Sequence, residues 1–190
     1  SYTVIKAKVG GASIFGIDGL TLTVSDFYLE INQAKDVTTG AAFGSVLDFN
    51  AGGSNAGSTF AVSTGPSSPA VTLDMDGDDG NLLQAAGDLE LDVFGFVTLD
   101  GSFAFKKSNG SFERNDGVSI TGDYLTVGAN IPTATVSAGG VGLSLTSIDL
   151  GMLLVSYDGG TPGTLPADTA DDTSYTVIKA KVGGASIFGI

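Results

Sequence analysis

Cysteine, histidine and tryptophan are all missing from these 190 residues. Without cysteine there are no disulfides, no zinc thiolates and no thiol nucleophile, a pattern that fits large bacterial surface proteins as well as cytosolic chains. Without histidine the commonest general base and transition-metal ligand are gone. A serine triad of the usual kind cannot form, and no serine sits in a Gly-x-Ser-x-Gly elbow. Basic residues are scarce as well, eight against twenty-one acidic ones. A chain so negative repels nucleic acid and anionic lipid surfaces and attracts cations. No apolar run approaches the roughly 18 residues of a membrane-spanning helix. Neither nucleic-acid binding nor membrane insertion is expected.

What is present repeats. SYTVIKAKVGGASIFGI occupies residues 1–17 and returns unchanged at 174–190. Internal identity of this kind defines the architecture before any other feature. The period is 173 residues, so residues 1–173 are one full unit, with six basic and twenty-one acidic residues, and 174–190 begin the next. The chain reads as a window on a longer array.

Within the unit a period of two dominates. Tyr2 to Val9, Leu20 to Val24, Phe27 to Ile31, Val71 to Met75, Leu89 to Val93, Leu125 to Val127 and Thr133 to Val136 alternate apolar with polar residues. Strands with one face on a core and one in water have this pattern. Twenty-nine glycines, with Asn, Asp and Ser, punctuate it as turns. The reading is an all-β chain of roughly twelve strands, elongated, mainly antiparallel and sandwich-like, with a β-solenoid as the alternative. Leu82 to Leu99 and Val141 to Tyr157 read as long strands bent by bulges. Phe15, Phe94, Phe96, Phe103 and Phe105 are the expected bulky core members. The step Ile14-Phe15-Gly16-Ile17 resembles Val93-Phe94-Gly95-Phe96, 79 residues on, which suggests two degenerate halves, about 1–80 and 81–173. Residues 38–59 and the acidic Pro/Gly stretch 158–173 lack strand character, and the latter is the expected junction between units.

One local cluster points to chemistry. Asp74, Asp76, Asp78 and Asp79 lie in Asp-Met-Asp-Gly-Asp-Asp-Gly-Asn. Carboxylates at alternate positions with a glycine turn suit calcium, which takes six to eight oxygens. The EF-hand pattern is broken, with Asp79 where the loop needs glycine and Ala85 where it needs glutamate. A looser calcium site in a β-loop and a plain acidic turn are the two readings. Asp168, Asp171 and Asp172 offer a second acidic group in the junction. A carboxylate pair for glycoside hydrolysis would have to come from Glu30, Asp48, Glu90 and Asp92, each of which also fits the polar side of a strand. No enzyme is expected.

The identity at a period of 173 residues, the acidic bias, the absence of cysteine and the Asp-Gly turns together resemble the extender repeats of giant bacterial surface proteins, including RTX-type adhesins. The Gly-Gly-x-Gly-x-Asp calcium repeat of RTX rolls is absent, and the unit is longer than the roughly one hundred residues of an immunoglobulin-like sandwich. The resemblance implies a secreted or cell-surface location, neighbouring identical repeats as partners, calcium as a stiffening ion and a role as spacer or fibre subunit. From the place of the repeated segment itself, Tyr175 to Ile190 is expected to pack against strands of the preceding unit, including Val141 to Tyr157, so that the sheet runs across the repeat boundary. The alternative is a repeated binding module for surface glycan or calcium that gains strength through multivalency.

Overall fold

Branched and aromatic side chains alternating with polar ones favour an extended backbone with two unlike faces. A computed structural model describes residues 1–14, 16–50, 57–158 and 172–190. Its strands are β1 (Tyr2–Ser13), β2 (Leu20–Ala34), β3 (Phe60–Val62), β4 (Val71–Leu73), β5 (Leu82–Val93), β6 (Val97–Glu113), β7 (Ser119–Ala138), β8 (Val141–Tyr157) and β9 (Thr173–Phe188). The helical structure among the described residues is a single 3₁₀ turn at Gly77–Asp79.

Seven strands form one antiparallel sheet in the order β1-β2-β5-β6-β7-β8-β9, while β3 and β4 make a separate two-stranded hairpin. The sheet is therefore a meander interrupted once. The parallel coils of a solenoid are not present among the described strands. Nor, among the described residues, does a second sheet of comparable size face the first. At one rim the strands reverse tightly, at 94–96 and at Gly139-Gly140, where both glycines have positive φ (61° and 86°) as a type I′ turn requires. The opposite rim carries the long connections, including 35–81.

Among the described residues nine strands stand where roughly twelve are expected, because several breaks in the alternation are bulges, not turns. β2 carries one extra residue against β5 between Ser25 and Tyr28, and β7 carries one against β6 beside Asp100 and Ser102, while Gly10/Asp26, Pro132/Ser147 and Ser147/Gly183 drop out of the pairing with the register kept. Asp26 (φ 46°) and Ser147 (φ 52°) take the left-handed conformation there. Each irregularity shifts the side-chain phase by one residue. Apolar positions accordingly step from Val9 to Ala12 in β1, from Phe27 to Val24 in β2 and from Ile148 to Leu145 in β8, staying on one face throughout. Val141 to Tyr157 is one bent strand, as its sequence suggests. Leu82 to Leu99 is not. A three-residue turn at 94–96 splits it, with Gly95 N–H donating to Asp92 Oδ1 at 2.7 Å.

The two faces differ. One presents Leu29, Ile31, Leu83, Phe103, Phe105, Val127 and Met152, in rows that register sets side by side. The other carries Lys6, Glu30, Gln84, Lys106 and Thr126 in a single cross-strand row. Burial is concentrated on this polar face, where 35–50 and 57–81 fold over the sheet. Ala34, Leu82, Asn32 and Ser108 are buried there, together with Met75 from the connection itself. Asn32 Nδ2 donates to Leu47 O at 2.6 Å, and Asn81 Oδ1 accepts from Ala34 N at 2.8 Å. Of the expected core phenylalanines, Phe103 and Phe105 lie half-buried on the apolar face. Phe94 and Phe96 are exposed instead, because they occupy the tight turn at the rim. Phe15 lies outside the described residues.

Candidate assembly interface

The repeated segment appears twice in the structure, once at each edge of the sheet. As β1 it pairs with β2, in register Tyr2↔Ala34 through Ser13↔Thr23. As β9 it pairs with β8, in register Thr173↔Tyr157 through Phe188↔Gly142. Five strands lie between one copy and the next, and each of the six steps from neighbour to neighbour is antiparallel, so both copies run in the same direction. Both also show the same side chains to the same face. Lys6 belongs to the row of Glu30, Gln84 and Lys106, and Lys179 lies opposite Gly151, which continues the same polar face.

Equal direction and equal facing mean that the two copies use opposite edges. Ser1 and Lys35 exchange both backbone bonds, Ser1 N to Lys35 O at 2.6 Å and Lys35 N to Ser1 O at 2.8 Å. Along an antiparallel strand such exchanging positions alternate. Tyr2, Val4 and Lys6 thus turn their backbone groups away from β2, and their equivalents Tyr175, Val177 and Lys179 turn theirs toward β8. One copy of the segment has the geometry to hold a β8 on one side and a β2 on the other.

The two copies differ in what covers them. On β1, Lys6 Nζ lies 3.1 Å from Glu30 and 2.5 Å from Asp74 of the covering connection. Burial opposes the charge on Lys6, but the bonds to Asp74 and Glu30 outweigh it and raise the pKa. On β9 no covering connection is present among the described residues. Val177 is 57% exposed, whereas its counterpart Val4 is half-buried.

The apolar face has no covering layer among the described residues. Ile5, Val9, Val136, Leu150, Ile178 and Val182 each expose about two fifths or more of their surface there. Contiguous apolar surface on this scale marks a contact surface more often than it marks chance.

Of the four aspartates expected at a calcium site, the carboxylates of Asp74, Asp76 and Asp79 take separate partners, and Asp78 enters through its backbone N–H. Asp74 is bonded to Lys6, and Asp79 to Lys106 at 2.5 Å. Asp76 caps the 3₁₀ turn by accepting from Asp78 N at 2.9 Å, and its other oxygen accepts from Asn50 Nδ2 at 2.7 Å. Among the described residues no group of three or more acidic side chains is placed to hold a metal ion. Asp48, which the sequence does not single out for this loop, organises it by accepting from Asn50 N at 2.9 Å and Gly77 N at 3.1 Å. Those two bonds, Asn50 first, hold its carboxyl below the ordinary value. Of the other acidic candidates, Glu30 is bonded to Gln84 and Lys6, while Glu90 and Asp92 face Asp100 and Thr98 across β5 and β6. Asp168 and Asp171, with most of the expected junction, lie outside the described residues. Compared with family models, curated proteins and solved structures, the chain matches none.

Proposed function

We propose that this chain is a piece of a tandem-repeat structural protein, in which one β-sheet continues from each 173-residue unit into the next and the unit serves as spacer or fibre subunit on a cell surface. The observation that carries the reading is the position of the repeated segment. It occurs at both edges with direction and facing preserved, so joining units by superposing β9 on a following β1 needs no change of fold. Six main-sheet strands per unit at about 4.8 Å each advance such an array by about 29 Å per unit. Units in an array of this kind meet mainly their neighbours, so one sequence can be reused at every step. The acidic composition keeps a densely repeated array soluble. Calcium, within this proposal, must compete with Lys6 and Lys106 for the carboxylates of Asp74 and Asp79. The test is electron microscopy of purified chains carrying two, four and eight units. Length rising by about 29 Å per unit is expected, and compact globules at every unit number overturn the proposal.

A second reading, repeated glycan binding, draws on a shallow hollow of about 560 Å³ on the sheet, lined by Tyr28, Asp88, Ser102, Asn130 and Asp149 among others. An aromatic ring beside carboxylates and amides is chemistry that sugars accept, and recurrence once per unit would supply avidity. A glycan panel read against a Tyr28→Ala variant decides it, retained signal in the variant counting against the hollow.

A further inference from the structure

We infer that the outer edge of β8 is an acceptor site for the Tyr2–Ser13 strand of a second copy of this chain, so that separate molecules join end to end without a covalent link. The inference deepens the reading above and rests on the same strand pair. Residues 1–17 and 174–190 are identical, so any backbone register, side-chain fit or bulge that lets β8 hold β9 is available to β1 of another molecule. The match includes the irregular position. β8 has Ser147 (φ 52°) opposite Gly183, and a Cβ at Gly183 would come within 2.7 Å of Ser147 Cβ. The incoming β1 brings Gly10 to that place. Nothing on β1 has to move, because among the described residues its outer edge carries no strand. The strand β1 stays paired with β2 while its open edge lies along β8.

Within one molecule β9 occupies the acceptor. Its local tether gives it a high effective concentration, and this keeps the site closed to other copies. Releasing β9 opens the site. The contact is then head to tail, one edge on the opposite edge, and a heterologous contact repeats into an open filament unless its rotation closes a ring. Recognition is by strand addition, with main-chain bonds supplying affinity and side-chain rows fixing register.

The test uses the full chain with Val177→Pro and Lys179→Pro together. Proline removes two N–H donors that point at β8 and leaves the strands up to Tyr157 untouched. The variant is expected to self-associate, its light-scattering mass rising at least twofold with concentration, while the unaltered chain stays unchanged. A synthetic peptide of residues 174–190 should return the variant to single chains, and the same peptide with both prolines should not. A variant that retains native circular dichroism, remains monomeric and fails to bind the labelled peptide overturns the inference. Should the variant fail to fold, the unaltered chain is warmed with labelled peptide. Slow incorporation in place of β9, by local opening of the edge, supports the site, and none overturns it. If tandem chains still lengthen by about 29 Å per unit while both tests are negative, the covalent array stands and only intermolecular addition fails.

Discussion

Lys6 and Glu30 face each other across β1 and β2 with their charged atoms 3.1 Å apart, yet Lys179, the same residue one period later, lies opposite Gly151 and meets no carboxylate on β8 at that position. Sequence identity with unequal surroundings separates what a residue is from what it contributes. Lys6→Met leaves the partly buried Glu30 and the exposed Asp74 without their cation and is expected to cost about 1 kcal/mol. Lys179→Met should change stability by less than about 0.5 kcal/mol. Denaturant unfolding of the two variants measures the difference, and equal losses would contradict the role given to the covering connection.

Gly101→Ala is expected to destabilise by about 1–3 kcal/mol. A Cβ there meets Asn130 O at 2.5 Å and Ile131 Cα at 3.0 Å, and both are backbone atoms that cannot rotate away. Gly95→Ala meets no atom within 4 Å, but its φ of 68° penalises any side chain; its loss should be about 1 kcal/mol. Thermal melts rank the two.

Removal of residues 174–190 exposes the backbone of β8. Amides of β8 should then exchange with solvent faster, and the melting temperature at low protein concentration should fall. An unchanged melting temperature would argue that β9 is only appended to the sheet.

Stability should be lost at both ends of the pH scale. The carboxyls of Asp36, Asp48 and Asp116 are held below their ordinary 3.8, Asp36 and Asp48 chiefly by backbone N–H bonds and Asp116 chiefly by Arg114. Groups with depressed pKa stabilise the fold above their unfolded value and release that contribution as pH falls through the folded one. Loss is therefore expected below about pH 4. Lys6 and Lys106 behave oppositely. Burial works against their charge, but bonds to Asp74 with Glu30 and to Asp79 raise both above 10.5, so their contribution holds at neutral pH and is lost above that value. Circular dichroism melts from pH 2 to 12 trace both limbs, and a flat profile below pH 4 would contradict the bonding of Asp48.

The apolar face should bind a hydrophobic dye without prior unfolding. Leu150→Lys and Val182→Lys, both on that face and exposed, should lower dye fluorescence, whereas Val177→Lys on the polar face should not. Equal effects from all three would remove the distinction between the faces.

Much of the sheet is legible in the residues because alternation with period two states both the element and its facing. The bent strand Val141 to Tyr157 can be read this way, its change of phase near Ser147 being the mark of a bulge. Leu82 to Leu99 shows the limit. A three-residue turn at Phe94-Gly95-Phe96 and a bulge leave nearly the same local trace, a glycine between apolar residues. Which one forms depends on whether the following segment finds a partner strand, a non-local matter. The acidic loop shows another limit. Spacing in Asp74 to Asp79 says that carboxylates are near one another along the chain. Their partners, Lys6 and Lys106, come from strands 68 and 27 residues away. Asp48 carries no pattern of its own, and its place in that loop follows from folding alone.

The sequence by itself determined the class of backbone, the negative charge, the period of 173 residues and which side chains share a face, because these follow from local alternation, composition and identity. Only the tertiary structure decided that seven strands form one meandering sheet, that the two copies of the repeated segment lie at opposite edges with equal direction and facing, and that 35–50 and 57–81 cover one face while the other is bare among the described residues. Pairing between strands is made by backbone groups common to every residue, so the choice of neighbour rests on register, bulge position and chain connection across the whole unit.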